Sequence, residues 1–156
     1  MKVLLSICLV LCLALSVNAV RVRTHTKSPT LESLQSSLAD DLLRSGLSSG
    51  IVLTGWNGMI KFESGLKLKP GEEAAIIDLF KNPKKVFTTG VTVGGVKYKG
   101  SKGDKSFIIG KKGATGVIIA RTNMFMIIST YNKKMQPDKA VKLVEGITNM
   151  LKQTGF

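Results

Sequence analysis

The run Thr89-Gly90-Val91-Thr92-Val93-Gly94-Gly95-Val96-Lys97-Tyr98 decides how the rest of the chain is read. Apolar, β-branched residues lead up to a glycine pair and resume after it. Two glycines accept the positive backbone dihedrals of a tight hairpin turn without steric cost. The run therefore predicts a strand over 86–93, a turn at Gly94-Gly95 and a return strand over 96–99. Downstream, Ser101–Lys105 reads as a polar, basic loop. Three further strands follow at 106–110, 117–120 and 125–130. Gly113-Ala114-Thr115-Gly116 and Arg121-Thr122-Asn123 separate them. Short strands in close succession predict an antiparallel meander. The chain closes with a helix from Pro137 to about Gln153. Val141, Val144, Ile147 and Leu151 share one face of it, with Lys139, Lys142 and Lys152 elsewhere.

Upstream of the hairpin, Asn82-Pro83 stops a helix that Pro70 opens. Glu72 and Glu73 fall in its first turn, where carboxylates oppose the helix dipole, and Ile76, Ile77 and Phe80 follow. Earlier still, Ile51-Val52-Leu53 and residues 59–62 read as two strands joined through Trp56-Asn57-Gly58. Asn-Gly suits a tight turn. Leu31, Leu34, Leu38 and Leu42 recur at helical spacing, so an amphipathic helix is expected to end near Gly46. One α+β domain over 31–156 accounts for the whole pattern.

The first nineteen residues have a different character. Met1-Lys2 is a basic start, residues 3–15 are almost unbroken apolar sequence, and Val17-Asn18-Ala19 suits a cleavage site. That is the layout of a secretory signal peptide, with an uncleaved N-terminal anchor as the alternative. Both cysteines, Cys8 and Cys12, lie inside it. Cleavage would leave a chain without thiols, held together by its core alone. Residues 20–30 are polar and basic with Pro29, and read as a flexible arm.

Charge is unevenly spread. The 156-residue chain carries 23 Lys+Arg against 10 Asp+Glu, a formal net charge of +13. Residues 20–80 hold seven of each sign and are neutral, whereas residues 81–156 hold fifteen basic and three acidic residues. Such a concentration favours an acidic partner over a neutral one.

Catalysis finds little support. The one histidine, His25, sits in the arm without a neighbour to orient it, and a general base needs a fixed partner. No His/Cys cluster can be assembled for a metal, and no cofactor is expected. Asp40-Asp41 and Glu72-Glu73 read as helix-surface and first-turn charges. Gly95–Ser101 lacks the Lys-Ser/Thr pair and the following helix of a phosphate-binding loop. No basic helix with interleaved aromatics appears, so nucleic-acid binding is not expected.

The order helix, hairpin, helix, meander, helix, together with the opening run, resembles the profilin family. The run matches that family's apolar strand, Gly-Gly turn and Lys-Tyr return. Ile109-Gly110-Lys111-Lys112-Gly113-Ala114-Thr115-Gly116 is similar to its basic loop. Tyr131, Met135-Gln136-Pro137 and Val144-Glu145 fall where profilins have a Tyr, a Met-x-Pro and a Val-Glu. The resemblance spans residues 31–156. It implies a central antiparallel sheet with the N- and C-terminal helices on one face and a further helix on the other. It implies a monomeric, non-catalytic protein that binds monomeric actin, proline-rich peptides and phosphoinositides.

Carried over residue by residue, the implied actin face comprises Val91, Lys97, Lys102, Lys112, Gln136, Lys139, Lys142 and Glu145. All of these lie in the half that carries the excess positive charge, and actin is acidic. Lys102, Lys105, Lys111 and Lys112 are the candidates for an anionic phosphoinositide membrane surface. The proline-rich site departs from the family. Its first-helix aromatic positions fall on Leu34 and Ser37, its hairpin tryptophan on Lys61 and its last-helix aromatic on Met150, so only Phe156 offers a ring. A polyproline helix needs flat aromatic grooves, so this binding is expected to be weak or lost. Trp56, shifted from the family position, is read as covering the hairpin end. The leader points to secretion, whereas profilins belong to the cytoplasm and cytoskeleton. A secreted cationic module with an acidic extracellular partner is the alternative reading.

Overall fold

The computed structural model describes residues 30–156. The leader at 1–19 with Cys8 and Cys12, the arm up to residue 29 and its His25 lie outside the described residues.

The Gly94-Gly95 turn forms as the sequence requires. Their φ angles are +61° and +78°, and Val93 stands opposite Val96 and Val91 opposite Tyr98. This hairpin joins β3 (Val91–Val93) to β4 (Val96–Gly103). The other strands are β1 (Gly50–Gly55), β2 (Ile60–Ser64), β5 (Phe107–Lys112), β6 (Thr115–Arg121) and β7 (Phe125–Tyr131). All pair antiparallel in the order β2-β1-β7-β6-β5-β4-β3. Three helices of two turns or more flank the sheet. They are α1 (Leu31–Leu38), which widens into a π-helical turn over Ala39–Arg44, α2 (Glu72–Lys81) and α4 (Pro137–Gln153).

Three local expectations need correction. The stretch 86–93 is not one strand: Val86–Thr89 is a short helix, α3, and only Val91–Val93 is extended. Pro83 opens a 3-10 turn ahead of α3, and Thr88 and Thr89 hydroxyls both donate to the Lys85 carbonyl. Tertiary packing then overrides the strand preference of these β-branched residues. Val86 is fully buried against β4, where Gly100 and Gly103 leave room for it. A Cβ on Gly100 would collide with the Val86 carbonyl. Secondly, Ser101–Gly103 is not a loop but the end of β4, carried on past a register shift between Gly100 and Lys102. Thirdly, in the first hairpin only Gly58 has a positive φ, of +77°. The Asn57 side chain instead accepts the Met59 N–H at 3.1 Å. Leu53 pairs with Phe62 but Thr54 with Ile60, so Lys61 is the extra residue of a bulge.

Two cores lie on opposite faces of the sheet. Leu34, Leu38 and Leu42 meet Ala140, Val144, Ile147 and Leu151 of α4 over Ile51, Leu53, Ile118 and Ile127. The N- and C-terminal helices thus share one face. On the other, Ile76, Leu79 and Phe80 of α2 and Val86 of α3 pack on Val52, Val117, Ile119, Met126 and Ile128. Truncating a side chain as buried as Ile76 to Ala costs about 2–5 kcal/mol. Gly155, with φ +93°, ends α4, and the Phe156 and Gly155 N–H groups return to the Leu151 and Lys152 carbonyls. This is a Schellman closure.

Glu72 does more than offset a helix dipole. Its Oε2 accepts the N–H groups of Gly94 at 2.7 Å and Lys69 at 3.0 Å, and its Oε1 accepts that of Gly95 at 2.7 Å. A buried carboxylate therefore ties the first turn of α2 to the tip of the β3–β4 hairpin.

Candidate functional site

Strand alternation decides where the lysines of β4 and β5 point. Tyr98 and Ile108 belong to the core under α2 and α3. Lys97 and Lys99 flank Tyr98 and project to the opposite face. Lys111 is the cross-strand partner of Lys99, so the two share that face. Lys97 and Lys99 line a shallow groove of about 330 Å³ with Phe87, Thr88 and Thr89. Phe87 is 51% exposed, unusual for a phenylalanine that packing could cover. A second groove of about 550 Å³ lies between β4, β5 and α4. Its walls include Lys102, Lys111, Tyr131, Asp138, Lys142 and Glu145. The Lys99–Lys111 pair joins the two grooves into a strip.

The strip is basic but internally buttressed. Lys102 Nζ lies 3.7 Å from both Asp104 and Glu145 and 5.3 Å from the Phe107 ring centroid. Pairs this exposed contribute little stability, about 0–1 kcal/mol each, but they limit where the ammonium can go. Tyr131 forms part of the floor. Burial, then the charges of Asp138 and Tyr98, raises its phenol above the usual value of 10.0. Burial does the same to Tyr98.

Lys97, Lys102, Lys142 and Glu145 of the implied actin face come together on this strip. Gln136 and Lys139 are exposed at the start of α4, outside the groove walls. Val91 cannot take part through its side chain: it is 2% exposed, in the α2-side core. Lys112 faces away from Lys111 and lines a separate hollow with Val93, Tyr98 and Thr115. Phe87 and Lys99 escaped the sequence reading. Reading 86–93 as a strand hid Phe87, although its place beside Lys84-Lys85 and one residue after an apolar valine is the available signal.

The four candidate phosphoinositide lysines are not one cluster. Lys105 lies in the β4–β5 connection and Lys111 at the far end of β5. At about 3.4 Å per residue their backbones are about 20 Å apart. Lys102 and Lys111 share the groove, and Lys112 lies on the opposite face.

The polyproline positions fall on the α1–α4 side. Leu34 is 4% exposed and belongs to the core. Ser37 and Met150 are exposed. Lys61 lies across Gly55, its Cε 3.9 Å from where a Cβ there would stand. The Phe156 ring is stacked on Phe125 at 6.0 Å, and its carbonyl accepts the Asn123 N–H. Trp56 is on the other side of the sheet, edge-on to Phe80 at 5.7 Å and under the Arg121 guanidinium at 4.7 Å. Among the described residues, no group of three or more His, Cys, Asp or Glu could hold a metal ion. Nor is any helix there long and apolar enough to cross a membrane.

The sequence pattern of the profilin family matches residues 32–156. The chain belongs to the profilin family. Profilin-P of Physarum polycephalum is 40% identical over 124 residues, covering 80% of this chain and 99% of that protein. Acanthamoeba castellanii profilin II superposes with a TM-score of 0.75 at 30% identity, over 80% of this chain and all of that one. A LokiProfilin2, solved as a complex with rabbit actin, matches with a TM-score of 0.66 at 18% identity, over 78% of this chain and 97% of its own. At that identity the last likeness speaks for the fold alone. As a family, profilins are actin-binding proteins rather than enzymes.

Proposed function

We propose that this profilin binds monomeric actin through the strip running from Phe87 across β4 and β5 to α4. The observation that carries the reading is the convergence of Lys97, Lys99, Lys111, Lys102 and Lys142 with one exposed aromatic on one surface. Positive charge steers encounter with an acidic partner and fixes register. Phe87 supplies what lysine does not, since aromatic anchors carry binding energy and lysine is depleted at interface centres. Equilibrium titration of labelled actin monomer with the protein tests the reading. Saturable one-to-one binding supports it, and no saturation at about 100 μM, a free energy weaker than about −5.5 kcal/mol, refutes it.

Phosphoinositide binding is a second reading, confined to Lys99, Lys102, Lys111 and Lys142. Asp138 and Glu145 in the same groove weaken its pull on an anionic headgroup. Such a ligand would compete with actin for the strip. Vesicles containing phosphatidylinositol bisphosphate should release bound actin more than phosphatidylserine vesicles of equal charge; equal release leaves only nonspecific attraction. The family's cytoplasmic, cytoskeletal address suits an actin-binding role. N-terminal sequencing of the native protein decides between that address and the secreted alternative, because a first residue of Val20 means the leader was cleaved.

A further inference from the structure

Strand β4 pairs with β5 only between Lys99 and Gly103. Its first three residues, Val96 to Tyr98, therefore lack a β5 backbone partner and pair with β3 alone. Strand β3 is the last strand of the sheet. Lys97 thus stands on a two-stranded tip, and an isolated two-stranded hairpin is marginally stable. Val91, Val93 and Tyr98 anchor the tip's inner face in the α2-side core. Leu66 also packs against Gly94, and Glu72 adds the hydrogen-bonded tie.

The geometry of that tie is specific. Gly94 and Gly95 both have left-handed backbones, which turns their successive N–H groups outward toward one point. Consecutive N–H groups so arranged form an anion-binding concavity. One carboxylate oxygen accepts Gly94 and the other Gly95, each at 2.7 Å, while the Lys69 N–H at 3.0 Å fixes the carboxylate from the segment that leads into α2. Glu72 is 8% exposed, so these bonds are shielded from competing water. No other residue type offers two acceptors at this reach. Aspartate is one methylene shorter, and glutamine would turn an NH2 toward one of the N–H groups.

We infer that Glu72 is a positioning residue for the binding strip: it holds the hairpin tip in the one orientation that presents Lys97 beside Phe87 to an acidic partner. The inference rests on the actin-binding reading of that strip. Without the clamp the tip samples other orientations, and apparent affinity falls by the fraction of molecules that remain competent.

The test compares Glu72→Gln with Ile127→Val, a core change on the opposite face of the sheet, at conditions where both proteins are fully folded and equally lowered in thermal midpoint. Amide exchange at Gly94 and Gly95 and the backbone order of residues 92–98 are measured without partner, and then each protein is titrated against actin monomer. Glu72→Gln is expected to speed exchange at both glycines and to raise the actin Kd about fivefold, while Ile127→Val stays within about twofold of the unsubstituted protein. Unchanged exchange in Glu72→Gln, or a Kd shift no larger than that of Ile127→Val, overturns the inference. If the unsubstituted protein fails to bind actin, the actin reading falls and the positioning role falls with it. The exchange result, which needs no partner, then separately decides whether Glu72 holds the hairpin.

Discussion

Two surfaces of the molecule differ in the side chains they leave outside. Along β4, β5 and the start of α4, long cationic side chains stand in solvent beside the few side chains, Tyr98, Ile108 and Ile109, that these strands bury. Along the α1–α4 side, where the resemblance implies a polyproline site, Leu34 is buried in the core, Phe156 is stacked on Phe125, and Ser37, Lys61 and Met150 carry no ring. Strand burial differs as well, β4 being largely exposed and β1 and β7 buried throughout, but it does not decide which ligand each surface suits. The side-chain chemistry left outside does. A docking face for an acidic protein needs cations and one aromatic anchor, and it has both. A polyproline groove needs adjacent flat rings, and only one remains.

The contrast breaks most readily at the lysines. The double change Lys97→Glu and Lys142→Glu puts acidic groups at both ends of the strip. It should weaken actin binding about 100-fold, or about 2.7 kcal/mol, at low salt. The loss should shrink as salt shortens the screening length to about 8 Å or less. A loss that ignores salt would mean the strip is not electrostatic. Phe87→Ala should weaken binding about tenfold, with the thermal midpoint almost unmoved because half of the ring is already in water. An unchanged titration would remove Phe87 from the interface.

The other surface is sharpened by what it fails to bind. Calorimetry with an oligoproline peptide should give a Kd above about 1 mM, weaker than about −4 kcal/mol. Fluorescence is a poor reporter here, since Trp56 lies on the opposite face against Phe80 and Arg121. Installing rings through Lys61→Trp and Met150→Tyr should bring the interaction into measurable range, and no gain would show that the sunken Leu34 also matters.

The smallest effect concerns alkaline pH. Tyr98 and Tyr131 have raised values in the folded state, Tyr98 from burial and Tyr131 from burial and then nearby charge. The unfolded chain therefore loses these protons first. Their stabilisation is complete below pH 10 and is lost as pH rises beyond it. Tyr131→Phe should flatten that decline in denaturation midpoints between about pH 10 and 11. A decline of unchanged slope would assign it elsewhere.

How much of this was legible depends on how local the cause is. Helix α4 was readable end to end, because Pro137 opens it and its apolar residues hold one face over four turns. The β3–β4 turn was readable because a glycine pair accepts both of its left-handed dihedrals without strain. Helix α3 was not, since Val86-Phe87-Thr88-Thr89 favours strand by itself and becomes helix over a notch made by Gly100 and Gly103. The same misreading concealed Phe87. The splitting of Lys111 from Lys112 followed from β5 running to Lys112, past the point where the sequence suggested a loop. Glu72 looked like a helix-start charge because its partners, Gly94 and Gly95, are 22 and 23 residues away.

Hydrogen-exchange footprinting of the protein with and without saturating actin monomer sets the two surfaces against each other directly. Protection over residues 86–103 and 137–145, with none over 31–44 or 147–156, is the expected pattern. Protection confined to the α1 and late α4 segments would contradict the assignment of the basic strip as the docking face.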